Sequence, residues 1–211
     1  MKPFAIILVV IFLCYPQTSR TDKNATFDNK MWHQYESTKL AKVYYDNMYS
    51  KWDLLIFKNL SHCEKEHMET LLELIEDYSN PRLFAVLENN KFNFPELNES
   101  YSKFMNQGNQ SLIAALEEAA FIEENTVKDL QNLIELSNEQ FLAEELYEIL
   151  TISRCHLQRV VCHLDHRDVV YKPKVLSVYE YLDCLNYEAN NPKCPYDKTT
   201  CPYKKHMEIE Q

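Results

Sequence analysis

Glu64 and His67 stand three residues apart in a stretch where apolar residues recur at three- and four-residue steps. Leu60, Glu64, His67, Leu71, Leu74 and Tyr78 fall on one face of a helix, whereas Lys65, Glu66, Glu69, Glu73 and Glu76 fall on the other. A carboxylate and an imidazole in an apolar stripe cost desolvation free energy unless something binds them. Taken alone, this spacing is more often an internally satisfied ion pair. In four-helix bundles it also aims both side chains at a metal on the bundle axis.

Two further stretches carry polar residues into apolar stripes. Leu116, Ala119, Glu123, Val127, Leu130 and Ile134 share one face, so Glu123 points inward. Glu124 is one position round, four before Lys128, and reads as half of a surface ion pair. Further on, Ile149, Ser153, His156, Val160 and His163 line up. Glu64, His67, Glu123 and His156 therefore form one inward polar set drawn from three helices. Two carboxylates and two imidazoles suit iron, zinc or manganese.

The elements that would position them are helices. The chain has 211 residues and a single glycine, which disfavours β-rich folds with tight turns. The predicted helices run over 29–51, 54–78, 111–137 and 138–166, with Asp53 and Ser111 as N-caps of the second and third. Residues 21–28 read as a polar leader. The stretch 81–110 is long enough to run from one end of a bundle to the other, and holds a short helix begun by Pro95 and ended by Gly108. The expected domain is a four-helix bundle over 29–170 with a Cys-rich extension over 171–211, where Cys194-Pro195-Tyr196 and Cys201-Pro202-Tyr203 repeat a motif.

Residues 1–19 have the basic start, short apolar run and polar end of a signal peptide. The expected location is extracellular, by secretion. Of seven cysteines, Cys14 lies in that leader, and the other six (Cys63, Cys155, Cys162, Cys184, Cys194 and Cys201) form an even set of disulfide candidates. All six are expected to be oxidised, with at least one bond stapling the extension to the bundle. Asn24, Asn59, Asn98 and Asn109 head glycosylation sequons. A net charge of −10 argues against nucleic acid as a partner, and no later apolar run suits membrane insertion. A protein partner, met through the surface or the tail, is compatible with this composition, which leaves oligomeric state open.

Lys39-Leu40-Ala41, Tyr45, Trp52, Phe57-Lys58-Asn59-Leu60, Glu64-x-x-His67-Met68, Ile122-Glu123-Glu124, Asp129-Leu130 and Ser153-Arg154-Cys155-His156-Leu157 together resemble a rubrerythrin-related family of unknown function in the ferritin-like superfamily. The resemblance spans about residues 30–165. It implies an all-α, antiparallel ferritin-like four-helix bundle, with a long crossover between its second and third helices and a carboxylate/histidine di-metal centre. It also implies that Tyr45 hydrogen-bonds within the site. Two positions depart from the pattern: Thr38 stands where the first helix of the family has glutamate, and Ser153 one turn before His156 replaces the glutamate of a second Glu-x-x-His. At most two or three carboxylates remain, even if Glu36 or Glu124 joins, so one ion is expected rather than two. The expected function is a secreted metal-binding protein with a reduced site for iron or another divalent transition metal, retaining residual oxidoreductase activity. The competing reading is a metal-free bundle serving as a secreted glycoprotein interaction module.

Overall fold

The apolar stripes become six helices and no strands among the described residues: α1 (Arg20–Trp52), α2 (Leu55–Tyr78), α3 (Pro95–Gly108), α4 (Leu112–Leu136), α5 (Gln140–Asp165) and α6 (Val178–Asn186). The computed structural model describes residues 20–88 and 90–186, the side chains of 20–24 excepted. The expected signal peptide and Cys194 and Cys201 lie outside these residues.

The four long helices touch in a closed cycle, α1 on α2, α2 on α5, α5 on α4 and α4 on α1, which is the contact pattern of a four-helix bundle. Two bonds fix the register of the first pair. Ser61 donates to Asp46, and Ser79 donates to Asp28 at 2.9 Å, so α1 and α2 run antiparallel. The connection after α2 begins beside the start of α1, where the Trp32 indole donates to the Asn80 carbonyl at 2.9 Å. It finishes beside the end of α1, where Trp52 donates to the Gly108 carbonyl at 3.0 Å and Lys51 to that of Asn109 at 2.6 Å. The crossover thus runs from end to end, as its length predicts.

Local expectations fare unevenly. Ser111 caps α4 by accepting from the Ala114 amide at 3.0 Å, and Pro95 opens α3. Asp53 does not cap α2, whose N-cap is Leu54 with no side-chain bond. Instead Asp53 takes φ 50° and donates its amide to the Tyr49 carbonyl at 2.9 Å, ending α1 with a left-handed residue that Asp tolerates. The predicted leader 21–28 is helical, because Phe27 packs against the core and draws α1 back past residue 29. Gly108 ends α3 without a positive φ. A Cβ there would collide with the Tyr44 hydroxyl, and would meet Met48 Sδ at 2.8 Å.

The cysteines also differ from expectation. Cys63 and Cys184 are free thiols, whereas Cys162 is disulfide-bonded. The Cys63 thiol helps to hold the His156 imidazole above its ordinary value. Burial pushes the Cys184 thiol up to about 12, which suppresses thiolate chemistry.

Candidate metal centre

Glu64, Glu123 and His156 converge because α2, α4 and α5 each turn their apolar stripe to the same axis. The side chains are 1%, 0% and 0% exposed, and ligand-capable atoms from the three lie within 4.8 Å of one another. His156 Nδ1 is 3.0 Å from Glu64 Oε1 and 3.5 Å from Glu123 Oε2. Both contacts are close, yet neither is aligned as a hydrogen bond, so these oxygens and both ring nitrogens of His156 lack a satisfactory protein partner. Oxygens crowding a nitrogen off its N–H direction is the arrangement of co-ligands. Two donors each about 2.1 Å from one ion lie about 3.0 Å apart in octahedral geometry and about 3.4 Å apart in tetrahedral geometry.

His67 stands one turn along α2 and is only partly drawn in. Its Nδ1 meets Glu64 Oε2 at 3.4 Å and its ring lies 5.6 Å from that of His156, but it is not one of the three clustered groups. The i,i+3 spacing lets it orient Glu64 rather than share its apex. Tyr45, fully buried on α1, donates to Glu123 Oε1 at 2.6 Å, in line with what the resemblance implies.

Electrostatics divide the two carboxylates. Burial pushes the Glu64 carboxyl upward, but the adjoining His67 and His156 imidazoles outweigh it and hold the group low. Burial raises the Glu123 carboxyl; His156 opposes this and Glu64 reinforces it. For His156, burial disfavours the imidazolium, yet Glu123, Cys63 and Glu64 together hold it well above its ordinary value. A site crowded with anionic oxygens favours positive charge, whether proton or cation.

The remaining candidate ligands are engaged elsewhere. Thr38 is fully buried and accepts from Gln34 Nε2 at 3.4 Å, while the Ser153 hydroxyl donates to its own helix at the Ile149 carbonyl. Glu36 clamps the crossover, accepting from the Asn93 amide at 2.7 Å and its side chain at 2.6 Å. Glu124 is no surface partner of Lys128. It is fully buried, accepting from the Tyr171 hydroxyl at 2.8 Å and from the backbone amides of Lys174 and Leu176. Lys128 pairs with Glu180 instead, at 2.7 Å. Periodicity placed Glu124 off the bundle axis, but not the segment after α5 that folds over it.

Gln34 also escaped the sequence reading. It is fully buried four residues before Thr38, a spacing that could have flagged it. Separate from the centre, an open cleft of about 430 Å³ lies between α1 and α4, lined by Lys30, His33, Phe94 and Asp129 among others. Of the sequons, Asn59 and Asn109 are exposed, whereas the Asn98 side-chain amide donates to the Phe92 and Phe94 carbonyls at 2.9 and 3.0 Å.

Comparisons with known proteins find similarity over most of the chain. A family profile described as an uncharacterized protein domain, DUF2202, matches residues 28–188. The uncharacterized protein MJ0754 of the archaeon Methanocaldococcus jannaschii is 30% identical over 151 residues, covering 72% of this chain and 82% of its own. The crystal structure of that hypothetical protein superposes with a TM-score of 0.71 at 28% identity, covering 82% of this chain and 97% of the other.

Proposed function

This chain belongs to the DUF2202 family, and from that membership and the buried cluster we propose that it binds one divalent transition-metal ion, iron or a chemically similar metal, within a ferritin-like bundle. The observation that carries the reading is His156 Nδ1 at 3.0 and 3.5 Å from two carboxylate oxygens with no aligned hydrogen bond. Glu64, Glu123 and His156 hold the ion, and His67 orients Glu64. Two ions sharing bridging carboxylates do not fit this donor set, because Glu36 and Glu124 are spent on other segments and Thr38 and Ser153 bring no charge.

Bound there, such an ion supplies Lewis acidity and, if iron, one-electron redox chemistry. The chain's own contributions are separate. Tyr45 fixes one oxygen of Glu123 and leaves the other to face His156. Walls such as Leu60, Val127 and Val160, each fully buried, exclude bulk water. An end-to-end crossover and paired antiparallel helices support the kinship with rubrerythrin-related proteins. Secretion, glycosylation and a disulfide-stapled tail complete the proposal, resting on the leader, the sequons and the disulfide-bonded Cys162.

Metal analysis of protein purified from a eukaryotic secretory host tests the reading. About one ion per chain is expected, lost in His156→Ala. Two ions per chain would contradict the single site. No ion after loading with iron, zinc and manganese would favour the metal-free interaction module.

A further inference from the structure

The face of α1 that turns to the metal centre carries Gln34, Thr38, Ala41 and Tyr45, spaced four, three and four residues apart. Three of these are fully buried and Ala41 is 1% exposed. Tyr45 reaches Glu123. The other two polar residues have nothing comparable to serve. Gln34 Nε2 donates to Thr38 Oγ1 at 3.4 Å, and Gln34 Oε1 has no partner within the protein. A buried amide oxygen without a partner costs about 1–3 kcal/mol, so a side chain retained this way points to a ligand.

A second unpartnered buried atom lies on α2, the helix paired with α1. His67 Nε2 has no protein partner, and His67 is 4% exposed. The pairs Asp46–Ser61 and Asp28–Ser79 both put Thr38 level with Glu69 on α2. His67 is two residues from that level, an axial offset of about 3 Å at 1.5 Å per residue. Ala41, level with Glu66 in the same register, carries only a methyl group.

The hydrogen-bonding roles are complementary. His67 Nδ1 is turned to Glu64 Oε2 at 3.4 Å, which leaves Nε2 as its free hydrogen-bonding edge, a donor or an acceptor by tautomer. Gln34 Oε1 is an acceptor. The Thr38 oxygen already accepts from Gln34, which leaves its O–H to donate. An acceptor, a hydroxyl and an imidazole nitrogen match a water molecule, which both gives and takes hydrogen bonds; buried waters typically make about three such bonds.

We propose that Gln34, Thr38 and His67 form a binding position for one water-sized hydroxylic molecule on the α1 side of the Glu64–Glu123–His156 cluster. The position itself stands on the two unpartnered atoms. Its use as the place where an exogenous ligand approaches the ion rests on the proposed metal binding. α1 supplies no carboxylate there, so that side of the ion stays open to a small molecule steered by Thr38 and Gln34.

The test is a crystal structure of metal-free protein at a resolution that shows ordered solvent, for wild type and for Gln34→Leu/Thr38→Val. The wild type should show one solvent peak within about 3.2 Å of Gln34 Oε1, Thr38 Oγ1 and His67 Nε2, absent from the double variant. A wild-type structure in which His67 Nε2 or Gln34 Oε1 bonds to another protein group overturns the position, as does a peak that survives the double substitution. Should the variant fail to fold, a long-lived water cross-relaxing with the Thr38 amide in wild-type NMR spectra supports the position, and its absence overturns it. Crystals loaded with Co(II) separate the two readings: solvent without an ion upholds the position and sinks the metal site, and an ion with His67 Nε2 among its ligands does the reverse.

Discussion

Glu64 Oε1 on α2 and His156 Nδ1 on α5 lie 3.0 Å apart, although 91 intervening residues separate them along the chain. Neither atom is aligned to share a proton, and Glu123 approaches the same nitrogen from α4 at 3.5 Å. An ion between them would tie together three of the four long helices.

Metal should therefore stabilise the fold measurably. Free ion at a hundredfold over its Kd adds about 2.7 kcal/mol to unfolding, read as a rise in Tm on loading. His156→Ala should abolish that rise. A variant that keeps the full rise would place the ion elsewhere.

Tyr45→Phe removes the hydroxyl bonded to the buried Glu123 carboxylate. We expect a loss of about 1–3 kcal/mol in urea unfolding. Because partners that orient a ligand typically contribute 10–100-fold to metal affinity, binding should weaken by at least tenfold. Unchanged affinity would show that Tyr45 serves packing alone.

Glu124→Gln should loosen the segment after α5 before anything else. The substitution weakens acceptance from Tyr171, Lys174 and Leu176 around a fully buried carboxylate. Amide exchange at Lys174 and Leu176 should accelerate while α1 and α2 retain protection, and stability should fall by about 2 kcal/mol or more. Were Glu124 a surface residue paired with Lys128, the change would be nearly silent.

His163 gives the stability a pH dependence of defined sign. Burial, reinforced by Arg167, His166 and Arg159, lowers its imidazole to about 4, below the ordinary value near 6.5. Between those limits the unfolded chain binds a proton that the folded chain does not. This contribution is thus complete above about pH 6.5 and is lost as pH falls toward 4. The difference in unfolding free energy between wild type and His163→Gln should shift in favour of the variant over that window. A difference constant from pH 7 to 4 would refute the assignment.

Passage through a eukaryotic secretory pathway should leave the sequons unequally occupied. Asn59 and Asn109 present exposed side chains, whereas the Asn98 amide nitrogen is spent on two carbonyls that join the crossover to α3. Glycopeptide mapping should find carbohydrate at the first two and little at Asn98. Full occupancy of Asn98 would mean that those two bonds are dispensable.

The sequence by itself determined the helices, the faces they bury and the end-to-end crossover. Helical periodicity is local, and 30 residues between two long stripes leave a bundle few other paths. It also determined that Glu64, Glu123 and His156 point inward. What only tertiary structure decided was the company those side chains keep. His67 turned to Glu64 instead of the shared apex because the angle between i and i+3 on one helix leaves the choice to the neighbouring helices. Glu36 and Glu124 became clamps for non-helical segments whose backbone amides needed acceptors once buried. Gln34 entered the axis because stripe width depends on how α1 is rotated against its neighbours, which no single helix encodes. Asp53 adopted a left-handed turn where a cap was expected, because α1 must reverse within two residues to lay α2 in register against it.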